Sequence, residues 1–165
     1  MLLTIKLEIT EVTAAMPNKE KEIIEELLNN YRRIKAKVAT EAIKDAPEYA
    51  LQAINYNKVG SGETNNTYSD VEEFVARKSE QDSKYKNLVK ARNIIYHAYI
   101  NLPIEMRRIV EYFYFNDMSV KDTASRVNCS ENTIRNRKPE IFAELKVHGL
   151  MSAWEFWLES RELLS

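Results

Sequence analysis

The sequence predicts an all-α protein: an N-terminal helical arm, a long linking helix and a C-terminal helix-turn-helix domain. Three observations carry this reading. Only three glycines and four prolines occur in 165 residues, so little interrupts helices. Apolar residues recur at alternating steps of three and four in two separate stretches. Residues 119–145 read as two short helices joined by a tight turn, with a small alanine inside the first. The expected division is 1–68 for the arm with a flexible linker, and 69–165 for the long helix, the helix pair and a closing helix.

Composition narrows the function classes. Hydrophobic residues at 44% and charged residues at 30% describe a globular chain. No apolar run approaches the ~18 residues of a membrane span. The first ten residues lack the continuous apolar core of a signal peptide. A single cysteine forbids an intramolecular disulfide and suits a reducing compartment, so a cytoplasmic location is expected. A net charge of −1 argues against a strongly basic nucleic-acid coat protein. The basic signal is local instead: Arg135, Arg137 and Lys138 lie in a stretch, 132–139, without any acid. A footprint that small calls for a second copy of the chain or a partner if it is to hold DNA.

Along the chain, residues 2–10 alternate apolar and polar side chains, which is a strand pattern with no evident partner. Pro17-Asn18 then punctuates, and a helix is expected from about Lys19 to Lys44. Its Ile24, Leu27, Tyr31, Ile34 and Val38 form one stripe, better suited to packing within the chain than to a free coiled coil. Residues 55–67 hold two glycines among four asparagines and read as the linker. Ser69-Asp70-Val71-Glu72 is a capping box opening a helix to about Asn101. In its second half Leu88, Ile95, Tyr99 and Leu102 face the core. Leu102-Pro103 ends it, and a further helix runs from Ile104 to about Asn116. There Ile109 and Phe113, with Val110 and Tyr112, turn inward, while Arg107 and Arg108 point outward.

Ser119 is the expected N-cap of the next helix, about Val120–Val127, whose Val120, Thr123, Ala124 and Val127 mark one face. Ala124 lets two helix axes approach. Asn128 fits the turn because asparagine tolerates a left-handed backbone, and Cys129 fills an apolar slot. Ser130 caps the last helix of the pair, where Ile134 turns inward. Glu131, Asn132, Arg135, Asn136 and Lys138 fall outward. Arginine and asparagine can bond guanine and adenine edges bidentately in the major groove, while Lys138 and Ser130 suit phosphates. Glu131 accepts from a cytosine amine or favours the helix N-terminus. Pro139 costs a helix interior ~3 kcal/mol. A continuous but kinked helix to about His148 is expected, since Ile134, Ile141, Phe142 and Leu145 keep one apolar face across it. After Gly149 a closing helix sets Met151, Trp154, Trp157 and Leu158 on one side, chiefly to close the core.

Residues 103–145 resemble region 4 of sigma-70-type factors. Leu102-Pro103, Arg107-Arg108, Ser119, Ala124, Cys129-Ser130, Thr133-Ile134, Arg135 to Lys138 and Leu145 carry the likeness. With its upstream helices the chain is similar to phage-encoded late-gene regulators of the ArpU and RinA type. The resemblance implies a DNA-binding surface of Ser119, Ser130, Glu131, Asn132, Thr133, Arg135, Asn136, Arg137 and Lys138. It departs from that pattern at Thr123, where an apolar residue is usual, at Pro139, and in the Trp154–Leu158 extension. The upstream residues also lack the clustered aromatics and basics of a promoter-melting region.

No enzyme is expected. His97 and His148 stand far apart, and no His/Glu or Cys/His spacing would hold a metal. No cofactor is expected either. The expected function is sequence-specific transcriptional regulation, with double-stranded DNA, RNA polymerase and a second copy of the chain as partners. The alternatives are a small terminase subunit, which also joins such a motif to helical oligomerisation segments, and a helical scaffold whose motif binds a protein.

Overall fold

The computed structural model describes residues 16–44 and 67–165, with the side chains at 43–44, 67–75 and 77–78 outside the description. The expected strand at 2–10 and the linker at 55–66 therefore lie outside the described residues, as do the side chains of the Ser69–Glu72 capping box. Every element described is helical: α1 (Asn18–Lys44), α2 (Thr67–Ile100), α3 (Ile104–Val110), α4 (Val120–Val127), α5 (Glu131–Val147) and α6 (Ala153–Ser160). A π-helical turn, Glu111–Phe115, extends α3, and short 3-10 turns flank α6.

The stripe on α1 is spent inside the chain. Ile24, Leu27, Tyr31, Ile34 and Val38 are all buried, and α1 packs against α2, the π turn and α6. The Tyr85 hydroxyl donates to the Val38 carbonyl at 3.3 Å, a further tie between α1 and α2. A coiled coil with another chain through this stripe thus has no surface left to it. On α2, Leu88, Ala91, Ile95 and Ala98 are buried, as is Leu102 just past its end; the two alanines extend the predicted stripe, while Tyr99 is only half-buried. These alanines fall where α2 meets its neighbours, and α6 covers this helix most extensively.

Two sequence expectations change here. Arg107 does not point outward: its guanidinium donates to the Ile100 carbonyl at 2.6 Å and the Leu102 carbonyl at 3.1 Å. It thus satisfies carbonyls that the end of α2 leaves open. Arg108 is exposed as expected. The helix from Ile104 is not α-helical to its end, because residues 111–115 widen into a π turn closed by Asn116 N–H to the Glu111 carbonyl at 2.9 Å. Within it Tyr114 is buried, while Tyr112 and Phe113 are only half-buried. Three consecutive rings then serve two neighbours. Phe113 and Tyr114 turn toward α5, and Phe115 turns toward Tyr31 of α1, with centroids 4.3 Å apart.

The closing helix buries Ala153, Trp157 and Ser160, at steps of four and three. Trp157 donates its indole N–H to Glu26 of α1 at 2.9 Å. Leu158, assigned to that face from sequence, is instead exposed. The turn before it starts at Gly149 with φ +82, a left-handed conformation that glycine adopts without penalty.

Candidate nucleic-acid interface

α4 and α5 are built by local chemistry. The Ser119 hydroxyl accepts from the Asp122 N–H at 3.1 Å and donates to the Asp122 carboxylate at 2.7 Å. The Ser130 hydroxyl accepts from the Thr133 N–H at 3.1 Å and shares a 2.8 Å hydrogen bond with the Thr133 hydroxyl. Each cap satisfies an amide that the first turn would otherwise leave open. Between the helices Asn128 adopts φ 59, ψ 51, the left-handed conformation expected of it. The Cys129 N–H then reaches the Ala124 carbonyl at 3.0 Å, closing α4 in a Schellman-type turn.

The core of the pair is small and dense. Ala124 is buried where the helices meet, Ile134 is fully buried beneath them, and Ile141, Phe142 and Leu145 continue the same face. Thr123 is also fully buried, and its hydroxyl has no partner among the described residues. α5 runs unbroken from Glu131 to Val147 with Pro139 inside it, as the shared apolar face requires.

The predicted surface residues separate into three groups. Asn132, Arg135 and Asn136 form an exposed stripe on the first two turns of α5. Arg135 is held by Glu131 at 3.0 Å and leans on Asn132 at 3.4 Å. Ser119, Ser130 and Thr133 are engaged in capping, with both serines exposed. The third group is tied to other elements. Arg137 pairs with Glu105 of α3 at 3.4 Å and with Glu140 at 3.9 Å.

Lys138 lies four residues after Ile134, on the inward stripe. Its ammonium bonds Glu25 of α1 at 2.9 Å and sits over the rings of Phe113 at 5.2 Å and Tyr114 at 5.7 Å. The charge thus finds a carboxylate and two π faces. Further along, Lys146 meets Glu20 at 2.7 Å, so α1 and α5 run antiparallel with two ion pairs between them.

Sequence reasoning passed over the outer face of α4. Lys121, Ser125 and Arg126 are exposed there, opposite the buried Thr123 and Ala124. The signal was present in their spacing, since each falls off the Thr123–Ala124–Val127 stripe.

Residues 92–138 match the family model for Sigma-70, region 4. The match begins in the last part of α2, spans α3, the π turn and α4, and stops at Lys138, one residue before Pro139. The chain thus carries a DNA-binding helix-turn-helix domain of the sigma-70 region 4 type, preceded by a helical arm and a long linking helix. No curated protein and no solved structure matches the chain. The matched domain is of a regulatory, non-catalytic kind, and no group of His, Cys, Asp or Glu among the described residues is arranged to hold a metal ion. Among the same residues, no helix is long and apolar enough to cross a membrane.

Proposed function

We propose that this protein is a sequence-specific transcriptional regulator of the phage or prophage late-gene kind, with the first turns of α5 as its major-groove reader. The observation that carries this reading is the exposed stripe of Asn132, Arg135 and Asn136 next to a well-capped helix N-terminus. Those side chains offer bidentate donors and acceptors matched to guanine and adenine edges. Arg135 is free to exchange partners, because an exposed i,i+4 pair such as Glu131–Arg135 contributes only ~0.5 kcal/mol.

Around that stripe, Ser119, Ser130 and Thr133 suit phosphate contacts, and Glu131 either accepts from a cytosine amine or releases Arg135. Arg137 reaches a phosphate on leaving Glu105. Lys121 and Arg126 of α4 extend the phosphate contacts, since the first helix of such a pair crosses the DNA backbone. Lys138 we assign to holding α1, because contact with DNA would cost it a carboxylate and two ring faces. A small, locally charged reader on a nearly neutral body favours help from RNA polymerase or a second copy, in a cytoplasmic setting.

The test is selection of bound fragments from random DNA, followed by binding measurements on the enriched sequence. Arg135→Ala should weaken the specific complex by ~1–3 kcal/mol and relax preference at one base position. Lys121→Ala should weaken all sequences alike and flatten the salt dependence. Failure to enrich any sequence, or unchanged affinity in the Arg135→Ala, Asn136→Ala double variant, would reject the assigned face.

A further inference from the structure

On the side of the molecule formed by α1, α2 and the π turn lies an open cleft of about 370 Å³. Its apolar wall is aromatic. Phe115 packs, tilted, between Tyr31 at 4.3 Å and Tyr99 at 5.0 Å, and Tyr96 stands at the mouth, 48% exposed and 6.3 Å from Tyr99. Arg32 and Lys35 also line it, one helical turn apart on α1. Both are exposed, and neither has an ion-pair or hydrogen-bond partner among the described residues. Glu111 completes the opposite side, accepting from the Tyr99 hydroxyl at 3.3 Å through one carboxylate oxygen. Two wall residues, Glu111 and Phe115, are the first and last of the π turn. Such turns are rare and cluster at functional sites.

We propose that this cleft is a binding site for a mononucleotide-class ligand, its base stacked on Tyr96 and Tyr99 and its phosphate held by Arg32 and Lys35. The chemistry excludes the alternatives in turn. A purely apolar ligand would leave Arg32, Lys35 and the Glu111 carboxylate unused. A cationic ligand would find rings and one carboxylate, but also two cations that repel it. An anion without a ring would leave the aromatic wall unused, where stacking supplies ~1–3 kcal/mol per base. A planar ring bearing a phosphate uses every group present. The Glu111 carboxylate can accept from an exocyclic amine or a ring N–H of the base. The cleft also falls within the size range of small-molecule sites.

The experiment is titration of the full chain, without DNA, with AMP, GMP, CMP and UMP, followed by tyrosine fluorescence and calorimetry. Adenosine and ribose 5-phosphate serve as half-ligands. Saturable binding of AMP is expected, at least about tenfold tighter than either half-ligand. The Arg32→Ala, Lys35→Ala variant should lose about tenfold for AMP and leave adenosine unchanged. Tyr96→Ala should weaken both AMP and adenosine. All three positions are exposed, and unchanged melting confirms that the variants fold. Absence of saturable binding by all four nucleotides, or AMP affinity untouched by the Arg32→Ala, Lys35→Ala variant, overturns the proposal. Because no DNA is present, its outcome is separate from that of the major-groove reading.

Discussion

Replacing Pro139 by alanine should stabilise the protein. Pro139 is exposed inside α5, between turns anchored by the fully buried Ile134 and Ile141. The helix therefore continues through it because the core holds both sides, not because the local sequence favours it. The ring leaves the Arg135 carbonyl without its amide donor and crowds that oxygen, at a cost of ~3 kcal/mol in a helix interior. Proline returns part of this by restricting the unfolded chain, up to ~1 kcal/mol. The net gain for Pro139→Ala is about 2 kcal/mol, or a rise of ~4–8 °C in melting temperature for a chain of this size. Calorimetry and urea denaturation on the full chain read it directly. A melting temperature that stays level or falls would mean that the proline is itself required by the packing of Ile141, Phe142 and Leu145. The account of α5 as a helix held against a local breaker would then be wrong.

Further outcomes follow from the packing. Thr123→Val should gain ~1 kcal/mol in urea denaturation, since it removes a buried hydroxyl without a partner and keeps the shape; a loss would reveal an unseen hydrogen bond. Lys138→Met should stay within ~1 kcal/mol of the parent, because an unbranched apolar side chain can still reach the Phe113 and Tyr114 rings and the Glu25 pair is partly solvated. Lys138→Glu places a carboxylate against Glu25 and should melt lower, so equal melting of the two variants would contradict the role given to this contact. Burial raises the phenols of Tyr31 and Tyr114, and burial with the nearby Glu111 carboxylate holds Tyr99 protonated to about 12 against the usual 10.0. The fold favours their neutral form, so their contribution is fully present below pH 10 and is lost at higher pH, for Tyr99 as pH rises through about 12. Melting that starts to fall well below pH 10, with no phenolate absorbance, would point to other groups.

Much of the fold was legible because its signals are local. Ser119 and Ser130 cap where their positions before apolar-periodic segments said they would, and Asn128 takes the left-handed conformation its residue type tolerates. The stripe on α1 was readable as a buried face, and so were Ala124 and Ile134. Less legible was which outward-looking cations are free. Helical spacing predicts the side of a helix a residue occupies, but not what stands opposite it. Lys138 and Arg137 look like Arg135 in sequence, yet one meets Glu25 and the other Glu105.

The sequence alone determined the helices, their caps and the pair formed by α4 and α5, because hydrogen bonding within a turn and apolar periodicity depend on neighbours a few residues apart. Only the tertiary structure decided which cations of α5 are engaged by other elements, since that depends on carboxylates and rings from α1, α3 and the π turn. It also decided the π turn, where three consecutive rings must serve α1 and α5 at once, and with it the aromatic cleft. Such choices are set by packing among elements distant in the chain, and no window of neighbouring residues contains them.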